Sequence, residues 1–211
     1  MARERVSLEI AAFGRPQPRG EVTFLADAAH FVQIVQRGIL RAEVSVDIAT
    51  ADFKALLVPA GRKRGQARSI VAHFRRMAER GVELRILHAG TPSSAALEEL
   101  RRELPAGLTI RRCPRLHAKA VVIDARVMYL GSANLTGAGL GAKADGRRNI
   151  EWGVWTEAPA LVEAVLEQFN LLWEGGRCKT CRRRDVCPVP LEEPRLGPAP
   201  AVSSRPARRS R

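Results

Sequence analysis

The sequence predicts an α/β layered fold. Stretches with apolar residues at every second position alternate along the chain with stretches in which they recur every three to four residues. Hydrophobic residues make up 45% of the 211 positions, enough to bury a core without disulfides. Glycine and proline fall at the expected junctions between these stretches, at Gly81, Pro159 and Gly175.

Residues 6–13 read as a first strand, followed by a segment with two prolines. Residues 24–40 read as a helix with Ala28, Phe31, Val35 and Ile39 on one side. Val44, Val46 and Ile48 alternate as in a strand. A helix near 66–80 places Ile70, Phe74 and Met77 on its buried face, and Gly81 ends it. A strand is expected at 82–87 and a helix from Thr91-Pro92 to Leu104. Strands follow at 108–112, 116–123, 127–130 and 150–155. The last helix starts at Pro159, buries Leu161, Val165, Phe169 and Leu172, and stops at Gly175-Gly176. There is no internal repeat. Trp152, Trp155 and Trp173 are expected in the core, and His30, His73 and His88 in packing or surface positions.

The formal net charge is +13. That balance favours a polyanionic partner. Lysine occurs only at 54, 63, 119, 143 and 179, so arginine carries nearly all of the positive charge, a bias that a GC-rich genome also produces. The charged start does not read as a signal peptide, and no apolar run approaches the ~18 residues of a membrane span. A cytoplasmic protein without a membrane partner is expected. In such a compartment Cys113, Cys178, Cys181 and Cys187 are thiols or ligands rather than disulfides.

The chemistry is concentrated in His117, Lys119, Asp124, Gly131, Ser132 and Asn134, spaced H-x-K-x4-D-x6-G-S-x-N. On a strand, alternate residues share a face, so His117 and Lys119 point together while Ala118 and Ala120 point into packing. Small residues at 131–133 let the returning backbone come close. An imidazole is a suitable nucleophile for an anionic diester. Lys119 can neutralise the non-bridging oxygens, and Asn134 and the Ser132 hydroxyl can donate to them. A carboxylate is needed to hold the histidine tautomer, and Glu151 is the best downstream candidate.

This pattern resembles the HKD motif of the phospholipase D superfamily. A chance match at six specified positions is roughly one in a million at average residue usage. The resemblance spans about residues 44–173, with its sharp part at 117–151. It implies a phospholipase D-like mixed β-sheet flanked by helices on both faces. It implies a covalent phosphohistidine, a second histidine from another motif as the acid, and no metal for catalysis. Asp124 and Gly131 belong to the family pattern, with Asp124 expected to be structural. Only one motif is present, so the resemblance to single-motif bacterial endonucleases implies a homodimer that brings two copies of His117 to one phosphate. Residues 1–176 are then the catalytic domain, 177–189 a cysteine-rich segment, and 190–211 a disordered basic tail.

The cysteines read C-x2-C-x5-C-P, with Cys113 as a fourth ligand for zinc or a [4Fe-4S] cluster. The triplet is similar to the one that closes iron–sulfur RecB-type nucleases, which have a different fold. Unligated thiols are the competing reading. Arg62, Lys63, Arg64, Arg68, Lys143, Arg147 and Arg148 are candidates for a phosphate track. The expected function is a nuclease for DNA or RNA. The alternatives are a nucleic-acid-binding subunit of a defence or repair assembly, and a phospholipid-cleaving enzyme.

Overall fold

The computed structural model describes residues 5–8, 11–12, 15–16, 20–54, 56–59, 67–90, 92–102, 106–183 and 187. Its main sheet contains β1 (Arg5–Leu8), β2 (Gly20–Ala26), β3 (Ser45–Thr50), β4 (Glu83–His88), β5 (Leu108–Arg112), β6 (Ala120–Ile123), β7 (Val127–Gly131) and β8 (Trp152–Thr156). Their order across the sheet is β1-β2-β8-β7-β6-β3-β4-β5. The pairs β3–β4 and β4–β5 are parallel. The remaining pairs are antiparallel, which makes the sheet mixed.

β6 lies in the middle and all four of its residues are buried. A strand covered on both faces reads as a continuous apolar run, here Ala-Val-Val-Ile, rather than as an alternation. One face is covered by helix α1 (Ile70–Glu79), helix α2 (Ser94–Arg102) and a wide-turned helical segment at Phe31–Gly38. Ile34, Val35, Ile70, Phe74 and Met77 pack there against Val46, Ile48, Val121 and Ile123. Burying each such side chain contributes about 1.5–3 kcal/mol. Ser69 caps α1 by accepting from the amide of Ala72 at 3.2 Å. The other face is covered by helix α3 (Pro159–Trp173), whose Phe169 and Trp173 sit on Ala49, Leu87 and Ala120. Arg111 Nη1 donates to the Trp173 carbonyl at 2.7 Å, pinning the C-terminal end of α3 to β5.

Four sequence-based expectations are corrected. The helix expected at 24–40 begins only after a strand ending at Ala26, because Val22, Thr23 and Phe24 pair with β8. Tertiary pairing overrides local periodicity there. The following segment approaches the sheet closely at Gly38, where an added Cβ would lie 2.7 Å from Ile123 Cδ1 and 2.8 Å from Trp155. The strand expected at 116–123 starts at Ala120. Residues 113–116 instead make a turn in which the Leu116 amide donates to the Cys113 carbonyl at 2.9 Å. Ala118 is exposed rather than packed. Trp152 is 63% exposed, whereas Trp155 and Trp173 are buried as expected.

The turn between β6 and β7 is built around Asp124, which has φ of 52°. Aspartate tolerates this left-handed conformation better than most residues. Its carboxylate accepts from the amides of Glu43, Val44 and Ser45 at 2.7–3.2 Å, capping the start of β3. No described helix is long and apolar enough to cross a membrane.

Candidate active site

Four chain segments meet at one end of the central strands of the sheet. They are the C-terminal end of β3, the approach to β6, the C-terminal end of β7 and the approach to β8. The Gly131 amide donates to the Lys119 carbonyl at 3.1 Å, and the Ser132 amide to the Trp152 carbonyl at 2.9 Å. These bonds bring residues 117–119, 131–134 and 149–152 side by side.

His117 is exposed, while Lys119 is 7% exposed. Lys119 Nζ donates to the His117 carbonyl at 2.8 Å. It lies 3.2 Å from Nε2 and 3.3 Å from Nδ1 of the same ring. Near-equal distances to both nitrogens place the ammonium over the ring rather than in line with either lone pair. Burial lowers the pKa of Lys119, and the nearby Glu151 carboxylate opposes that shift. A cation with a restricted water shell is well suited to meet an incoming anion.

Asn134 is anchored through its side-chain oxygen. Oδ1 accepts from the Asp52 amide at 3.1 Å and from Thr50 Oγ1 at 3.3 Å. Thr50 in turn accepts from the Leu135 amide at 2.9 Å. The amide NH2 end of Asn134 is thereby oriented by its opposite end. Ser132 is engaged differently from the expectation that it donates to a ligand. Its hydroxyl donates to Glu151 Oε2 and accepts from the Trp152 amide at 3.0 Å. Asn149 Nδ2 donates to Glu151 Oε1 at 3.0 Å. Glu151 is thus fixed by Ser132 and Asn149, and no hydrogen bond joins it to His117 among the described residues.

Two further residues organise this end of the sheet and carry no motif signal. Tyr129 lies across Gly131 of its own strand and Gly153 of β8. An added Cβ on Gly131 would lie 2.4 Å from the Tyr129 hydroxyl, and one on Gly153 would lie 2.3 Å from its ring. The hydroxyl accepts from the Ala133 amide at 3.0 Å. Burial pushes the phenol up to about 12, so it stays protonated. The buried His30 meets Tyr129 edge-on at 5.4 Å between centroids, with its Nδ1 3.0 Å from the Asp27 carbonyl. Burial lowers its pKa. The adjacency of Tyr129 to the G-S-x-N stretch was the available sequence cue, whereas nothing local marks His30.

The basic candidates do not form one cluster among the described residues. Arg62, Lys63 and Arg64 lie outside the described residues. Arg68 is half-buried on a short strand, Ala67–Ser69. Lys143 and Arg147 are exposed in the loop between β7 and β8, while Arg148 is ion-paired with Asp145. That loop is closed by the Asn149 amide donating to the Ala138 carbonyl at 3.1 Å.

Beside His117 lies a cavity of about 200 Å³ lined by Cys113, Cys178, Cys181 and Cys187. None of the four is in a disulfide. Among the described residues, no group of three His, Cys, Asp or Glu side chains is arranged to hold a metal ion.

A mixed sheet with a His–Lys pair, an anchored asparagine and a Ser–Glu pair at one end of its central strands defines a phospholipase D-like domain. The chain belongs to this family. The family model described as "Cardiolipin synthase, PLD-like domain" matches residues 35–173. Among solved structures, the fold is similar to NucT from Helicobacter pylori, with 16% identity and a TM-score of 0.55, covering 74% of this chain and 96% of that one. It is also similar to Nuc from Salmonella typhimurium, a phospholipase D family member. That match has 21% identity and a TM-score of 0.52, covering 74% of this chain and 95% of the other. No curated protein matches the sequence.

Proposed function

We propose that the chain is a phosphodiesterase that cleaves DNA or RNA without a catalytic metal, through a phosphohistidine, as a homodimer with one shared site. The observation that carries this reading is the exposed His117 imidazole lying against the buried Lys119 ammonium, beside the anchored Asn134. A ring nitrogen of His117 attacks phosphorus and forms an N–P bond. The P–O bond to the leaving group breaks, and that oxygen takes a proton from His117 of the partner copy. Water then attacks phosphorus, its proton goes to the partner imidazole, and the N–P bond breaks. Lys119 and the Asn134 amide stabilise the non-bridging oxygens throughout. Glu151, held by Ser132 and Asn149, shapes the field at Lys119 and completes a histidine tautomer only if the dimer brings it to the other copy.

Nucleic acid is favoured as substrate by the net charge of +13 and by exposed Lys143 and Arg147 in the loop next to Asn149. The dimer is favoured by an apolar strip at the site's margin. Leu130, Val154 and Phe24 sit opposite one another on β7, β8 and β2, on a common face. Trp152 continues that row, and Ile150 is exposed immediately before Glu151. A specific observation favours a lipid substrate as the second reading. An apolar groove of about 350 Å³ runs between α3 and the sheet, starting at Ala118 beside His117.

The decisive assay compares single- and double-stranded DNA, RNA and phosphatidylcholine vesicles, each with excess EDTA, while folding is monitored in the same samples. Cleavage of nucleic acid in EDTA is the expected result. Loss of activity in EDTA that magnesium restores, in protein that stays folded, overturns the mechanism. Cleavage of vesicles alone transfers the assignment to lipid. Tight nucleic-acid binding without turnover identifies a binding subunit.

A further inference from the structure

The cysteines lie outside the chemistry above, and their placement calls for its own explanation. Cys113 follows β5, and its amide donates to the His88 carbonyl at 2.8 Å. Cys178 and Cys181 lie in a turn after α3, where the Cys181 amide donates to the Cys178 carbonyl at 3.1 Å. The fold therefore brings a thiol from the middle of the chain to the same cavity as three thiols beyond the last helix. Both sides of this cavity are tied to β5, because Arg111 of that strand holds the end of α3. Arg183 Nη1 also donates to the Pro114 carbonyl at 2.9 Å, bonding the cysteine segment to the loop of Cys113.

Between Arg177 and Cys187 the only aliphatic residue is Val186, so apolar burial contributes little there. Three arginines, Arg115, Arg177 and Arg183, line the cavity with the thiols. Unligated thiols have no need of such a cationic surround. A tetrathiolate centre does, because four thiolates around a divalent zinc ion leave a net charge of −2.

We infer that Cys113, Cys178, Cys181 and Cys187 form a tetrathiolate site for a thiophilic metal centre, which clamps the C-terminal segment onto the loop leading to His117. Binding deprotonates the thiols, so four protons leave as four metal–sulfur bonds form. The thiols surround the cavity without converging on one point. Binding draws them together and closes the cavity. Because His117 lines the same cavity, the centre positions the loop that carries it and does not touch the phosphodiester. The source of the metal centre is set by its content, as zinc and an iron–sulfur cluster share this ligand chemistry.

The test uses full-length protein purified anaerobically from cells, with metal and acid-labile sulfide measured per chain. The expected result is about one zinc, or about four irons with matching sulfide. The Cys113→Ser variant and the Cys178→Ser, Cys181→Ser double variant should each lose most of that metal. Folding failure in a variant is separated by a measurement on wild type alone. The four thiols should be protected from a thiol reagent in the folded protein and become reactive together when a chelator removes the metal. Wild type that contains no stoichiometric metal and binds no added zinc overturns the inference, as does full metal retention in both variants. These readouts are independent of phosphodiester cleavage, so the inference and the proposed reaction fail separately.

Discussion

The amide of Ala133 donates a 3.0 Å hydrogen bond to the phenol of Tyr129, four residues earlier and across the turn that carries Ser132 and Asn134. Both groups are buried. The tyrosine thus sets the height of the turn above the sheet, with Gly131 and Gly153 making room for its ring. Tyr129→Phe leaves the Ala133 amide buried without that acceptor, which costs about 1–3 kcal/mol. Urea unfolding should show this loss, and turnover should fall with the loosened Asn134. Gly153→Ala should cost more than Tyr129→Phe because a new methyl group meets the ring itself. Unchanged stability in both variants contradicts this account of the turn.

His117→Ala should abolish turnover with the unfolding midpoint nearly unchanged, because the ring is exposed and its loss opens no cavity. Lys119→Ala should reduce kcat on the order of a hundred-fold or more. Lys119 is buried, so some stability is expected to go with it. Near-normal turnover in well-folded His117→Ala protein eliminates the phosphohistidine mechanism.

The exposed strip of Phe24, Leu130, Ile150 and Trp152 should be covered in the active form. Trp152→Asp places a charge in that strip while leaving the backbone bonds to Ser132 available. Light scattering should then report a monomer, and specific activity should collapse. Wild type mixed with His117→Ala should form mixed dimers with little turnover. A monomeric variant that keeps full specific activity overturns the shared site.

Stability should fall on acidification from pH 7.5. Burial lowers the pKa values of His30, His73 and His88 below the ordinary 6.5. Below pH 6.5 the unfolded chain therefore binds protons that the folded chain refuses, so unfolding becomes more favourable as pH drops. The slope reaches at most about 1.4 kcal/mol per pH unit for each histidine. Urea midpoints at pH 7.5, 6.5 and 5.5 measure it. His30→Gln should flatten part of the slope. A midpoint that is constant or rises over this range refutes the buried-neutral assignment.

The sequence by itself determined the family and which chemical groups its motif supplies. The H-x-K spacing and the G-S-x-N stretch are contiguous or nearly so, and their meaning lies in residue type and periodicity. The apolar run of β6 likewise declared itself, because a strand buried on both faces leaves little room for polar residues, while β3 was legible from the alternation of Val46 and Ile48. Asp124 was legible as part of the pattern, although its three amide partners are some 80 residues away in sequence. Tertiary structure alone decided the rest. Residues 20–26 became a strand because β8 offered a pairing edge, which no window of local sequence records. The Ser132 hydroxyl went to Glu151 instead of facing outward, because pairing of β7 with β8 sets those side chains together. His30 reached Tyr129, and Cys113 joined the C-terminal thiols, through contacts between segments far apart in the chain. Spacing along the sequence reports which groups can share a face, but only packing fixes which distant groups share a cavity.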